Sequence, residues 1–387
     1  MKIEKMRILK PQRKMFLYLK NCIGWRTNRR VVTFTTDDYG NVRMANREAR
    51  ETMKKAGMNV EHTRFDFYDA LEDKEDLQQL YETLSSVKDK NGKHPVFTAM
   101  SASANPDFER IKEENFEHYH YELLPETFNK LKGYEGTWKL WKEGMERKLI
   151  FPQFHGREHL NLKFFMEALR SGNFQAQTAF NSRSFAAITD KLYPGIGYTS
   201  AFAFTDFNEN EYFKEIIRDG LNAFEKVFGF RAKHFAAPGA RENRVLEKTM
   251  FENGIKFIDK DFITPEPLGN NKFKRVMHYT GQKNKNHQIY MVRNCVFEPV
   301  QLPSLPKIDW VKYCLDQIDI AFRLKRPVNI SGHRVNYSGH IDPSVREFGL
   351  SQLRILLREI VKKWPDVEFM TTVELGELIE CSKNESF

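Results

Sequence analysis

The stretch Val31-Val32-Thr33-Phe34-Thr35-Thr36-Asp37-Asp38-Tyr39-Gly40 decides how this chain is read. Its first six residues are β-branched or aromatic and predict a strand. The strand ends on two adjacent aspartates, then Tyr39 and Gly40. Neighbouring carboxylates repel each other, and a core strand ordinarily excludes both. A charged turn after a strand is one reading of the doublet. A bound cation is another: it relieves the repulsion, with one carboxylate as ligand and the other free to take protons.

Outward from this strand, further short apolar runs follow at Pro95–Met100, Leu149–Phe154, Arg231–Ala236, Lys256–Ile258, Gln288–Val292, Pro327–Ser331 and Val367–Met370. Helical patterns lie between them, at Leu71–Leu84, Trp138–Arg147, Leu162–Arg170, Glu211–Val227, Arg244–Asn253, Asp309–Leu324 and Pro343–Lys363. Asp342-Pro343 reads as an N-cap with proline at the first helical position, and Gly172 and Gly254 suit C-caps. Apolar strands alternating with amphipathic helices predict an α/β fold with a parallel sheet covered by helices. The number of units favours a (β/α) barrel, where chemistry gathers at the C-terminal strand ends. Lys112–Lys148 is charged and aromatic, with Phe116, Tyr119, Tyr121, Tyr134, Trp138 and Trp141. It reads as a helical insertion whose aromatics either form a small core of their own or stack on sugar rings.

The net charge of +9 is unevenly placed. Residues 1–30 carry ten basic side chains against one acid, Glu4, so their excess of nine equals that of the whole chain. The body is neutral in sum, which argues against a broad nucleic-acid face. The expected organisation is a basic N-terminal arm over 1–30 and the barrel over 31–380, with the insertion at about 112–148. The arm holds the apolar run Met15 to Leu19, then Cys22, Ile23 and Trp25. That run is too short for an export signal or a membrane span. It suits a basic leader, a helix packed on the body, or peripheral contact with an anionic membrane. Cysteines at 22, 295, 314 and 381 lack metal or disulfide spacing, and a cytoplasmic location is the expectation.

His155 and His159 stand four apart after the Leu149–Phe154 strand. On a helix these positions share a face and converge on one ion. With Asp38, also at a strand end, they make a three-ligand set that leaves a position open for water; the alternative is two surface histidines. The zincin glutamate after the first histidine is absent, so a metalloprotease is a poor match. His333 follows the Pro327–Ser331 strand and Gly332, and an imidazole there suits a neutral-pH general acid. His340 is a weaker candidate. His118 and His120 read as solvated, and His62, His94, His234, His278 and His287 have no usable spacing.

Taken together, these residues resemble the polysaccharide deacetylase superfamily, carbohydrate esterase family 4, the nodulation-deacetylase homology domain, as a divergent member. Thr35-Thr36-Asp37-Asp38-Tyr39-Gly40 resembles its Thr-Phe-Asp-Asp-Gly motif, and His155 with His159 its His-x-x-x-His motif. Gly229 to Gly239 is similar to its Phe-Arg-Pro-Pro segment, Phe257 to Phe262 to its aspartate-containing fourth motif, and Ile330-Ser331-Gly332-His333 to its last. The order agrees from about residue 31 to about residue 375. Tyr39 intervenes before Gly40, the family's arginine aligns with Ala236, its tryptophan with Phe262, and the Asp38-to-His155 spacing is long. Arg241, in the following loop, is the candidate substitute for the arginine.

The resemblance implies a distorted (β/α) barrel and a metal-dependent hydrolase removing an acetyl group from an N-acetylated sugar in glycan or surface-polysaccharide metabolism. It implies Asp37 as base, His333 as acid, and Asp38, His155 and His159 as ligands of a divalent metal, for which two histidines favour Zn²⁺. Gly239 is a candidate for a backbone oxyanion donor. The expected partner is a carbohydrate substrate and not nucleic acid. The rival expectation is a catalytically weak or inactive barrel that binds glycan during polysaccharide assembly.

Overall fold

The structure, a computed structural model, describes residues 10–193 and 195–382, with backbone alone over 10–14. Residues 1–9 of the expected basic arm lie outside the described residues. The rest of that arm forms a helix, Lys10–Cys22, and an irregular stretch into the first strand.

The strands are β1 (Arg30–Tyr39), β2 (Phe97–Ser101), β3 (Ala104–Pro106), β4 (Tyr121–Leu123), β5 (Ile150–Phe154), β6 (His234–Phe235) and β7 (Phe257–Lys260). After them come β8 (Ile263–Gly269), β9 (Lys272–Met277), β10 (Ile289–Val292), β11 (Cys295–Val296), β12 (Val328–His333) and β13 (Val367–Phe369). Nine of these form one parallel sheet in the order β10-β7-β6-β5-β2-β1-β12-β11, with β13 paired to the start of β1. Every strand expected from the sequence lies in that sheet. The helices between them cover its outside, as parallel strands buried on both faces require.

The ends of the sheet order are β10 and β11, yet only Arg293 and Asn294 separate them in the chain. Two linking residues span at most about 10 Å. The two edges must therefore lie side by side, and the sheet curls into a distorted barrel. One segment closes it: Ile289–Val292 pairs with β7, then Cys295 and Val296 pair with β12. Asn294 pins the kink, donating to the Pro327 carbonyl at 2.9 Å and accepting from the Asn329 amide at 2.9 Å. The sequence reading did not anticipate β11, because two residues carry no periodicity.

β1 is central and buried along nearly its whole length, as its unbroken apolar and threonine run predicts. The insertion has no separate core. Phe128, Tyr134 and Trp141 are buried in the same cluster as the barrel residues Phe34, Phe97 and Phe154. The hairpin β3–β4 starts that excursion earlier than the sequence suggested. A second hairpin, β8–β9, leaves the barrel after β7. Among the described residues no helix is long and apolar enough to cross a membrane.

Candidate active site

The pairing of β1 with β2 slips between Thr36 and Tyr39, and Asp38 sits at φ 76°. In a regular strand Asp37 and Asp38 point to opposite faces. The bulge re-aims them, so that both line one cavity of about 310 Å³. Aspartate is among the few residues besides glycine that tolerate this left-handed backbone. Gly40 follows at φ 72°, where an added Cβ meets the Ala102 carbonyl oxygen at 2.5 Å. Its amide donates to Glu72 at 3.1 Å. Glu72 also accepts from Trp141 Nε1 at 3.0 Å and Arg334 Nη1 at 2.9 Å. Tyr39 packs edge-on against Trp141, which gives the residue between Asp38 and Gly40 a core role. The strain at the doublet is held by this buried network.

β5 delivers the two histidines, but not on a helix. Residues 155–161 are an irregular loop, and the next helix begins at Leu162, capped by Asn161. The expectation of helical i, i+4 convergence is therefore corrected. Gly156, at φ 93°, turns the chain where a Cβ meets the Glu158 carbonyl at 3.0 Å. That turn brings His159 Nε2 to 3.0 Å and His155 Nε2 to 3.5 Å from Asp38 Oδ1.

The chemistry of this trio fits a cation. His155 Nδ1 lies 2.8 Å from the Ala236 carbonyl, which only accepts, so Nδ1 carries the proton. In the neutral ring Nε2 is then a bare lone pair, and this buried atom makes no hydrogen bond. Burial holds His159 below its ordinary value, against the pull of Asp38. Burial raises Asp38, but His159 first and the other facing imidazoles outweigh it and hold the carboxyl well below the usual range. A carboxylate and two ring nitrogens, with donor atoms within 4.8 Å of one another, are a group able to hold a metal ion.

Asp37 belongs to a different neighbourhood. Arg293, from the kink that closes the barrel, donates to it at two points, Nη1 to Oδ2 at 2.6 Å and Nη2 to Oδ1 at 2.8 Å. Asp259, at the end of β7, accepts from Arg293 Nε at 2.9 Å and Nη2 at 2.7 Å. Burial raises Asp259, but Arg293 and then His234 bring it down to about 2. His234 Nε2 lies 3.4 Å from Asp259 Oδ1, and its Nδ1 meets Thr372 Oγ1 at 2.7 Å. The guanidinium facing the doublet is thus Arg293. Arg241, the candidate from spacing, lies over the Phe273 ring instead.

His333 ends β12, in register with Asp37. Its Nε2 lies 3.8 Å from Asp37 Oδ2, and its Nδ1 is held by Glu298 at 2.5 Å. Glu298 is fixed in turn by Arg64 at 2.5 Å and Asn336 at 2.7 Å. Burial lowers His333, but Glu298, Asp38 and Asp37 outweigh it and raise it to about 9. The imidazole carries two protons at neutral pH.

All five residues expected from the sequence, Asp37, Asp38, His155, His159 and His333, line the one cavity, with Gly239, Asp259 and Arg293. His340 does not; it pairs with Asp73 at 3.2 Å and packs on Tyr134. His120 is bound to Glu114 at 2.8 Å. Sequence reasoning missed Arg293, Glu298 and His234. Arg293 had a signal, since it directly follows a predicted strand in a fold that works at strand ends. Glu298 and His234 had none.

The sequence matches no protein-family model and no curated protein. Among solved structures, the chain is similar to a putative polysaccharide deacetylase from Mycobacterium smegmatis, at 10% identity over 93% of this chain and 94% of that one, with a TM-score of 0.44. It is also similar to a probable polysaccharide deacetylase from Pseudomonas aeruginosa PAO1, at 8% identity over 90% and 91%, TM-score 0.44. A third is Puue allantoinase, at 10% identity over 91% of each chain, TM-score 0.44. Likenesses this remote assign no residue and no reaction to the chain.

Proposed function

We propose that this site hydrolyses the acetamide of an N-acetylated sugar. The observation that carries the reading is the division of labour within the doublet. Asp38 faces two imidazoles, while Asp37, one residue earlier, faces a guanidinium and a protonated imidazole.

Asp38, His155 and His159 would hold a divalent cation, for which a set with two histidines suits zinc. Such an ion supplies Lewis-acid polarisation of the scissile carbonyl and acidifies a water. The remaining work belongs to the chain. Asp37 accepts the proton of the attacking water. Arg293 fixes its orientation, and Asp259 shares the arginine's charge so that the base is not fully quenched. The backbone of Gly239, which lines the cavity, is the candidate donor to the developing oxyanion. His333 gives a proton to the departing amine, because an amide anion is too basic to leave. Glu298 keeps that proton on the ring. Acid and base assistance of this kind contributes roughly 10²–10⁴-fold.

The alanine at 236 favours the rival reading of a glycan-binding barrel without turnover. That argument loses its weight because Arg293 supplies a guanidinium from the kink between β10 and β11. The test is release of a free amine from N-acetyl sugars by the metal-loaded protein, before and after chelation. Retention of every N-acetyl group under both conditions overturns the hydrolase reading.

A further inference from the structure

Helix Lys10–Cys22 has two unlike sides. Leu17 and Asn21 face inward, and Asn21 Oδ1 accepts from Asn294 at 2.9 Å. Arg326 clamps the helix end, donating to the carbonyls of Asn21 at 2.7 Å and Cys22 at 2.6 Å. On the other side Met15, Phe16, Leu19 and Ile23 are exposed, Met15 by 60% and Leu19 by 50%. Their spacing puts them on one face. A helix fastened by its polar and inner side, with its apolar stripe turned outward, wants a partner there.

The β8–β9 hairpin repeats the pattern. Ile263 and Met277 are direct cross-strand partners, 47% and 50% exposed. Leu268 and Phe273 are exposed nearer its tip. The next residue, Thr264, lines the catalytic cavity, so the hairpin is one strand's thickness between that cavity and an apolar outer face. The two apolar patches join where Phe16 meets Phe262 edge-on, with ring centroids 6.1 Å apart.

The charge around these patches is mainly basic, with Asp261 the exposed acid where they join. No acid stands between Glu4 and Asp37. On the hairpin Arg275 is exposed on the face of Ile263 and Met277, Lys272 and Lys274 are exposed on its other face, and its one acid, Glu266, is taken by Arg244 at 2.7 Å. A second copy of the chain would set basic face against basic face. A nucleic acid would satisfy the charges and leave Met15, Leu19, Ile263 and Met277 unpartnered, since strands of that kind stack on aromatic rings. An anionic lipid surface answers both features. Aliphatic side chains enter the boundary between headgroups and acyl chains, and basic ones meet phosphates.

We propose that the outward face of helix Lys10–Cys22 and the β8–β9 hairpin form one docking surface for anionic membranes, beside the mouth of the cavity. The consequence for the substrate, a glycan borne on or near lipid, rests on the hydrolase reading above; the docking itself does not.

The experiment is flotation of the full chain with vesicles of phosphatidylcholine, or of phosphatidylcholine with about one third phosphatidylglycerol, at low and high salt. Binding is expected on the anionic vesicles, at least roughly tenfold above neutral ones, and weakened by salt. Combined Lys272→Glu, Lys274→Glu and Arg275→Glu, and separately combined Ile263→Ser and Met277→Ser, should each cut binding by roughly tenfold or more, with melting temperature retained. Amine release from a soluble N-acetyl sugar serves as a second readout and should not change in the charge-reversed variant. Absent or lipid-independent binding by the wild type overturns the proposal, as does wild-type binding by both hairpin variants. Dimerisation abolished by Ile263→Ser without vesicle binding also overturns it. Loss of amine release with vesicle binding intact sinks only the hydrolase reading.

Discussion

Arg293 and Asp37, 256 positions apart, share a two-point ion pair at the top of the barrel. The pairing exists because Arg293 occupies the two-residue kink that closes the sheet, while Asp37 occupies the bulge of a central strand. One residue thus ties the closing kink of the sheet to the aspartate doublet. Arg293 is itself held between two carboxylates, since Asp259 accepts from its Nε and Nη2.

Arg293→Met is expected to leave Asp37 and Asp259 buried without their cation, at a cost of about 3–5 kcal/mol of stability. Arg293→Lys keeps the charge and loses the planar fork. It should stay folded in denaturant titration while turnover falls on the order of 10²-fold, the scale of a misplaced reacting group. Wild-type turnover by Arg293→Lys removes the orienting role.

Asp37→Asn separates the base from the ion. Asp37 touches Arg293 and faces His333, not the His155–His159 pair. Turnover is expected to drop by roughly 10²–10⁴-fold, with metal stoichiometry by elemental analysis unchanged. Loss of metal in this variant would mean that the doublet shares the ion.

His155→Ala is expected to lose metal. In the wild type a bound ion adds stability, about 2.7 kcal/mol when it is present at a hundred times its dissociation constant. Thermal melts with and without added zinc should therefore differ in the wild type and coincide in the variant. Equal metal occupancy in both overturns the ligand assignment.

The acid sets the alkaline side of the pH profile. His333 is raised from 6.5 to about 9, burial opposing and Glu298 leading the groups that prevail. Turnover should fall as pH rises through about 9, and Glu298→Gln should move that limb down by a unit or more toward the ordinary value. Stability follows the same sign. The contribution of His333 is complete below its ordinary 6.5 and is lost as pH passes about 9. Glu298 runs the other way: burial raises it, but Arg64 and His333 prevail and bring it from 4.5 to about 2. Its contribution is present above 4.5 and is lost as pH falls through 2. The stability gap between wild type and Glu298→Gln should be widest between pH 4.5 and 6.5, where both contributions are complete. A gap that does not vary with pH overturns the pairing.

Much of this protein was legible before any coordinates. The run from Val31 to Thr36, the later apolar strands and the intervening amphipathic helices specify a helix-covered parallel sheet, because burial on both faces demands continuous apolar runs. The doublet, the spaced histidines and His333 stood out because each lies at or just beyond a strand end, and the fold brings them to one cavity. The sequence did not disclose how the histidines converge. Helical spacing suggested a shared face, while a loop turned at Gly156 does the work. Nor did it disclose that the insertion's aromatics belong to the main core.

What the sequence by itself determined was the layered architecture and the residue types at its working end, since periodicity and strand-end position are local properties. What only the tertiary structure decided was the partnership of those residues. Asp37 meets Arg293, His333 meets Glu298 and Asp38 meets the two imidazoles because a bulge turns one strand and a kink closes the barrel. Such contacts depend on register and curvature, and no spacing along the chain encodes which of several arginines or glutamates the closing sheet will bring to a given carboxylate or ring.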